Sequence, residues 1–153
     1  QLEVSLSAPV SGKLVKLEDV PDPVFSGGMM GYGVAIEPSH STINSPVEGK
    51  VTMIAPTKHA IGIDTLDGAE ILIHIGLETV ELKGEGFEVQ VSEGDSIKIG
   101  TPLVKFDKEA IVEKGYNTIT PVIVTNSAEF SEIMPADATD VEEGQTILNI
   151  IKK

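Results

Sequence analysis

HAIGIDTLDGAEILIH, residues 59–74, is the stretch on which the fold turns. Two short runs rich in isoleucine flank Asp67-Gly68, a dipeptide that signals a two-residue hairpin because both residues tolerate the backbone angles such a turn demands. Side chains alternate along each run, so the pair reads as an antiparallel hairpin with a strongly apolar character. With Asp67 and Gly68 as the turn, Leu66 faces Ala69, His74 faces Ile61 and His59 faces Gly76. His59 and His74 then become diagonal neighbours on one face, with Cβ atoms about 7 Å apart. A four-residue loop would set them directly opposite each other. A three-residue loop would separate them onto different faces.

The rest of the chain follows the same grammar. Its 15 Gly and 9 Pro are spread among short runs rich in Val, Ile and Thr, such as GKVTMIAP, DSIKIG, TPLVKF and NTITPVIVTN. Short strands at that spacing predict an all-β sandwich or barrel. Only Asp107–Lys114, DKEAIVEK, reads as helix, and it is short. Pro9-Val10-Ser11-Gly12-Lys13-Leu14 echoes Pro46-Val47-Glu48-Gly49-Lys50-Val51, and Glu93-Gly94-Asp95-Ser96-Ile97 echoes Glu143-Gly144-Gln145-Thr146-Ile147. These echoes predict a pseudo-symmetric β fold in which glycine supplies the positive φ of the turns. No composition shift marks an interior boundary, so residues 1–153 read as a single domain with residues 1–6 as a leader.

At 153 residues the chain is long enough for one domain with a substantial core. Its net charge of −13 argues against nucleic acid as a partner, because the phosphates would be repelled. An acidic surface steers basic protein partners, and it equally serves solubility alone. The absence of cysteine removes disulfides, thiolate nucleophiles and cysteine-type zinc sites, and it fits a cytoplasmic protein. No apolar run approaches the roughly 18 residues of a membrane span, and no secretory signal precedes the strands, so no direct membrane insertion is expected. The first residue is Gln1 rather than Met, as in a processed chain or a piece of a longer one.

The two histidines carry the candidate chemistry. A neutral imidazole nitrogen is a competent nucleophile near pH 7, and a second imidazole beside it can donate a hydrogen bond to incoming phosphoryl oxygens. Apolar surroundings strengthen that bond and keep water from a labile N–P linkage. Gly76 would let a phosphate or a partner's backbone approach closely, and the Thr57 hydroxyl could orient a ring. A single histidine in a strand is ordinarily a satisfied core or surface residue; two on one face of one hairpin are harder to dismiss. Zinc is an alternative, yet a stable site wants a third or fourth ligand, and no metal is expected. His40, in the polar loop PSHSTI, reads as incidental.

At these residues the chain resembles the glucose-family IIA domain of the bacterial phosphoenolpyruvate-dependent sugar phosphotransferase system. The matching segments are SAPVSGKL, DVPDPVFSGGMMGYGVAI, SPVEGKV, PTKHAIGI, GAEILIHIGLETVELKGEGF, VSEGDSIKIG and TPVIVTN, with a weaker match near EEGQTI. The resemblance implies a flattened antiparallel β-sandwich with a shallow active-site depression. It implies that His74 carries the phosphoryl group on Nε2, that His59 hydrogen-bonds that group, and that Thr57 supports the network. Asp22 and Phe25 in DPVF, with Ile75, Gly76, Glu78 and Val80 in HIGLETV, match positions of a partner-binding rim. Many members carry Asp where this chain has Glu78. The implied activity is a phosphotransferase relay without a cofactor. Phospho-HPr donates to His74, which donates to a cysteine of a sugar-specific IIB domain, while the sugar crosses a membrane IIC domain. Neither IIB nor IIC is expected in a chain with no cysteine and no membrane segment.

Three other readings compete. A purely regulatory IIA-like domain, phosphorylated on His74, would bind and control a transporter or enzyme. A swinging-arm carrier is hinted at by the PVxGK and EGDxI repeats and by Asp107-Lys108, although that dipeptide opens the expected helix instead of sitting on a hairpin. A zinc hydrolase would use Asp64 and Glu70 beside the histidines, but no ligand-spaced motif such as HExxH is present.

Overall fold

The computed structural model describes residues 3–153. Strand β1 (Glu3–Ser7), β2 (Gly12–Lys16), β3 (Tyr32–Pro38), β4 (Thr42–Asn44), β5 (Gly49–Ile54), β6 (Ala60–Thr65) and β7 (Glu70–His74) fill the first half of the chain. The second half holds β8 (Phe87–Val89), β9 (Ser96–Ile97), β10 (Pro102–Phe106), β11 (Thr120–Val124), β12 (Phe130–Pro135), β13 (Asp140–Val141) and β14 (Thr146–Lys152). Two short helices, α1 (Pro23–Ser26) and α2 (Lys108–Glu113), and three 3-10 turns complete the described elements. The strands form an eight-stranded sheet in the order β13-β2-β3-β11-β7-β6-β5-β9 and two three-stranded sheets, β1-β14-β12 and β4-β10-β8. The pairings are antiparallel, as expected for an all-β protein, and the sheets do not close into a barrel.

The large sheet is buried on both faces at its centre. Val34 and Ile36 of β3, and Val122 and Val124 of β11, belong to the main core with Ile61, Ile63, Ile71 and Ile73. Ala35 and Ile123, pointing the other way by strand alternation, pack with Leu17, Val20, Phe25, Leu77 and Ile119 in a second cluster. A strand sandwiched in this way needs apolar side chains on both faces, which is why Thr120–Val124 is buried throughout. The second cluster is roofed by α1 and the loop after β7, the two segments that flank His74.

The hairpin register differs from the expectation. Ala60 faces His74, Ile61 faces Ile73, Ile63 faces Ile71 and Asp64 faces Glu70, so the loop holds three residues, Leu66, Asp67 and Gly68. A two-residue turn needs positive φ at both Asp67 and Gly68, but only Gly68 adopts it, at 93°. Gly68 N–H closes onto the Thr65 carbonyl at 3.2 Å, and the Thr65 hydroxyl accepts from Ala69 N–H at 3.0 Å. The extra residue is thereby absorbed with its backbone groups satisfied.

One pair of echoes occupies equivalent places in the fold, whereas the other pair leads into β9 and β14, which lie in different sheets. The two PVxGK units lead into β2 and β5, each the second strand from an end of the eight-stranded sheet. Gly94 and Gly144 do supply positive φ, at 95° and 91°. Gly12 and Gly49 do not, and they are glycine because a neighbouring strand passes too close. A Cβ would stand 2.1 Å from the Glu37 carbonyl oxygen at Gly12 and 2.2 Å from that of Asp64 at Gly49.

The leader is also corrected. Residues 3–6 lie in β1, which pairs with β14 and buries Val4 and Leu6; Gln1 and Leu2 fall outside the described residues. The expected helix stands as α2, with the Asp107 carboxylate capping Ala110 N–H at 3.1 Å. Helix α1 escaped the sequence reading because four residues show no periodicity. Its signature was local: Asp22 caps Val24 N–H at 3.0 Å and Pro23 occupies the first helical position.

The close strand approach makes a test. Gly49→Ala forces a methyl into the Asp64 carbonyl and is expected to cost about 1–3 kcal/mol in urea unfolding. Lys50→Ala, at an exposed neighbour, should stay within about 0.5 kcal/mol of wild type. Equal midpoints for all three proteins would show that the strands separate freely at this point.

Candidate active site

His74 ends β7, opposite Ala60 and on the face away from Ile73. His59 does not belong to a strand. It is the last residue of the loop between β5 and β6, which closes through Ala55 N–H to the Ala60 carbonyl at 3.0 Å and Lys58 N–H to the Ala55 carbonyl at 2.8 Å. In the observed register, strict alternation would place His59 and His74 on opposite faces. Alternation does not govern His59, because it precedes β6 and follows Lys58, whose φ is 66°. The imidazoles meet edge to face, with ring centroids 4.7 Å apart and planes at 80°. The expected proximity is therefore present, but it comes from a loop conformation instead of a shared strand face. Phe25 of α1 also packs against His74, its ring centroid 4.9 Å away.

A hydrogen bond decides which nitrogen of His74 keeps its lone pair. His74 Nδ1 lies 2.7 Å from the Gly76 carbonyl oxygen. A carbonyl only accepts, so Nδ1 carries the proton, and in the neutral ring Nε2 holds the lone pair. His59 Nδ1 lies 2.9 Å from the Thr57 hydroxyl, which can donate or accept. When that hydroxyl donates, His59 carries its proton on Nε2 and becomes a donor toward anything bound at His74.

Electrostatics favours the neutral rings. Burial is the main influence lowering the His74 pKa; the Gly76 hydrogen bond opposes it, the neighbouring His59 lowers it further and the Asp22 charge raises it. His59, 7 % exposed, is likewise lowered by burial, against a smaller upward pull from hydrogen bonding at Thr57. Two imidazolium charges at the observed separation would repel by about 3–4 kcal/mol at an effective dielectric near 20. The site therefore holds a nucleophilic nitrogen at neutral pH without needing a base to deprotonate it.

The remaining candidates divide by exposure. Glu78 is exposed at the start of the 3-10 turn Thr79–Leu82, and Val80, within that turn, is 45 % exposed. Asp22 caps α1 and acts on His74 through its charge. Phe25 and Ile75 are buried at 4 % and 0 %, so they support the site from beneath and offer a partner no surface. Gly76 is also buried, and its expected role is corrected. Its φ of 78° is left-handed, and a Cβ there would stand 2.7 Å from the Asn117 carbonyl oxygen and 2.6 Å from Thr79 Cγ2. The close approach is internal, and the atom that meets His74 is the Gly76 carbonyl, which no side-chain motif could announce. Glu78 is left-handed too, at φ 58°, a conformation in which Asp costs less than Glu. The backbone here would therefore accept Asp at least as readily as Glu.

Other residues fall away from the pair. His40 is exposed in the β3–β4 loop. Asp64 and Glu70 face each other further along the hairpin toward its turn, separated from His74 by Ile71–Ile73. Among the described residues, no group of three or more His, Cys, Asp or Glu side chains is arranged to hold a metal ion. Lys108 donates to the Pro38 carbonyl from the first turn of α2, so the Asp107-Lys108 dipeptide is not at a hairpin tip. A cavity of about 290 Å³ lined by Asp22, Leu77, Glu78, Tyr116 and Asn117 adjoins the site. A larger cleft of about 760 Å³, between Tyr32 and Phe130, includes neither histidine.

The lowered pKa values have a definite sign. Both folded rings titrate below the free value of 6.5, so on acidification the unfolded chain binds protons first. Stability from keeping them neutral is fully present above about pH 6.5 and is lost as pH falls through the folded values. Urea unfolding should show lower stability at pH 5.5 than at 7.5, with a shallower dependence in a His59→Gln/His74→Gln double variant. Long-range ¹H–¹⁵N spectra at pH 7.5 should place the His74 proton on Nδ1. A proton on Nε2 would remove the nucleophile assignment.

Comparison with known proteins gives the family of the chain. The family model described as phosphoenolpyruvate-dependent sugar phosphotransferase system, EIIA 1, matches residues 4–130. A PTS system glucose-specific EIIA component of Halalkalibacterium halodurans is 49 % identical over 150 residues, covering 98 % of this chain and 87 % of that protein. One from Staphylococcus epidermidis is 48 % identical over 143 residues, covering 94 % of this chain and 86 % of its own. Among solved structures, glucose permease IIA from Mycoplasma capricolum superposes with a TM-score of 0.88 at 34 % identity, covering 97 % of this chain and 96 % of that one. The matched region contains the β5–β6 loop, the end of β7 and α1, so the paired imidazoles lie within it. The chain belongs to the EIIA 1 family of the phosphoenolpyruvate-dependent sugar phosphotransferase system.

Proposed function

We propose that this chain is a single-domain phosphocarrier. It accepts a phosphoryl group from phospho-HPr on His74 Nε2 and passes it to a cysteine of a sugar-specific IIB domain. The observation that carries the reading is the His74 ring itself, with Nδ1 tied to the Gly76 carbonyl and Nε2 left beside His59. In the first step the donor's N–P bond breaks as a bond from His74 Nε2 to phosphorus forms. The His59 Nε2–H, held in that tautomer by the Thr57 hydroxyl, steadies the equatorial oxygens through transfer. In the second step the cysteine thiolate attacks phosphorus, and the electron pair returns to His74 Nε2.

Exposed Glu78 and Val80, with the Asp22 carboxylate, form the part of the rim that both partners would meet in turn. Such shared use favours a modest, transient interface. The relatives' names support glucose as the sugar of the system served. No described helix is long and apolar enough to cross a membrane, in keeping with a cytoplasmic component that meets the membrane through IIB and IIC.

Incubation with phosphoenolpyruvate, enzyme I and HPr tests the relay. Wild type should acquire acid-labile, base-stable phosphate, and His74→Ala none. His59→Gln should still accept phosphate but pass it to IIB about 100-fold more slowly or worse, the scale for loss of a donor to developing charge. Full labelling of His74→Ala would overturn the acceptor assignment. An unlabelled wild type would leave a binding role in place of the relay.

A further inference from the structure

The loop that follows His74 is held more firmly than a surface turn requires. Between Ile75 and Glu78 the backbone twice enters the left-handed region, at Gly76 and at Glu78. Three backbone groups in this span are anchored by other parts of the molecule. Ile75 N–H donates to the His59 carbonyl at 2.7 Å, and Leu77 N–H donates to the Asn117 carbonyl at 2.9 Å. The Ile75 carbonyl accepts from the Thr79 hydroxyl. The one carbonyl between these anchors is Gly76's, and it accepts from His74 Nδ1.

Thr79 is fully buried, and its methyl and the Asn117 carbonyl fill the space where a Gly76 side chain would stand. Asn117 is itself fixed, because its side-chain oxygen accepts from Ile119 N–H at 2.8 Å. From these contacts we infer that Thr79 and Asn117 are positioning residues, a clamp that aims the Gly76 carbonyl at His74 Nδ1 and so presents Nε2 for reaction. Neither hydrogen-bonds the imidazole, whose Nδ1 partner is the Gly76 carbonyl. They act through the two peptide units on either side of Gly76, as outer-shell partners orient a ligand in a metal site.

The clamp accounts for the hydroxyl of a fully buried residue. A valine of the same shape would fill the space but leave the Ile75 carbonyl unpaired, loosening one of the two anchors that bracket the Gly76 carbonyl. Without the Gly76 bond, His74 loses what fixes its tautomer, and the two neutral forms compete. It also loses an influence that raises its pKa, so the ring should titrate lower still.

The experiment compares Thr79→Val and Thr79→Ser with wild type, and it rests on the carrier reading only for its kinetic arm. Thr79→Val should show mixed Nδ1–H and Nε2–H signals for His74, a lower titration midpoint and about tenfold slower acceptance of phosphate from HPr. Thr79→Ser, which keeps the hydroxyl, should restore all three. Should Thr79→Val fold poorly, Asn117→Ala should shift the same ring signals, with Asn117→Asp restoring them because it retains the acceptor. A fall in unfolding stability with His74 tautomer, titration and rate unchanged would overturn the clamp and leave Thr79 a packing residue. A wild type that takes no phosphate would sink the carrier reading, while the ring signals would still decide the clamp.

Discussion

A single hydrogen bond, from His74 Nδ1 to the Gly76 carbonyl, sets the terms for the rest of the site. An imidazole has two nitrogens of nearly equal intrinsic basicity, and only fixing one makes the other a defined nucleophile. The acceptor must be a carbonyl two residues on, which requires the chain to reverse at once after the strand. That reversal needs the left-handed φ of Gly76, and the space beside it is taken by Thr79 and the Asn117 backbone. Strand β7 must therefore end at His74. Had it continued, the Gly76 carbonyl would have entered the ladder with β6 and pointed along the sheet.

The eight-stranded sheet supplies the surface on which this reversal sits. Its central strands are buried on both faces, and the smaller of the two cores is built from Leu17, Val20, Phe25, Leu77 and Ile119. Leu77 comes from the loop after His74, and Phe25 comes from α1, whose ring also touches His74. The histidine is thus walled by groups that belong to a packed core, and these are not free to move independently. On the proposed relay, the rim of that cluster must combine burial enough to neutralise the ring with exposure enough to admit a phosphoryl donor. A ring wholly inside it would exclude the partner, and one wholly outside would be protonated over much of the acidic range.

Most of the fold was legible because it rests on local rules. Alternation, Gly and Pro punctuation and the DKEAIVEK cap identified the strands and α2, and the PVxGK echo located equivalent strands near both ends of the large sheet. What failed was finer. Asp67-Gly68 fits two turn types that differ by one residue of register, and the choice depends on whether Asp67 also takes positive φ, which it does not. The prediction that the histidines meet survived that error for a reason no pattern displays: His59 belongs to a loop, and Lys58 turns left-handed just before it. The Gly76 carbonyl was invisible for a related reason, because backbone atoms are common to every residue and leave no compositional trace. The residues that match a partner-binding rim were likewise only partly readable. Sequence identity brought Phe25 and Ile75 into that set, and burial divides them from Glu78 and Val80.

On the proposed relay, the weakness of the site's anion-binding equipment is a requirement. A phosphoryl group adds a charge of about −1.5 to −2, and here it would arrive near Asp22 and Glu78 in a chain of net charge −13. A metal ion or an arginine fork would hold such a group firmly, yet a carrier that stabilises its loaded state deepens the well from which the next transfer must climb. One neutral imidazole donor at His59 offers less. It strengthens as negative charge builds on the equatorial oxygens during either transfer, because the surroundings are poorly solvated. The acidic setting acts in the same direction, making the loaded form prone to give up its group. It also favours partners that bring positive charge, which would be present during transfer and gone once the partner leaves. The stabilisation a carrier needs is thereby placed in the encounter complexes, where it speeds both steps, and kept out of the resting phosphoprotein.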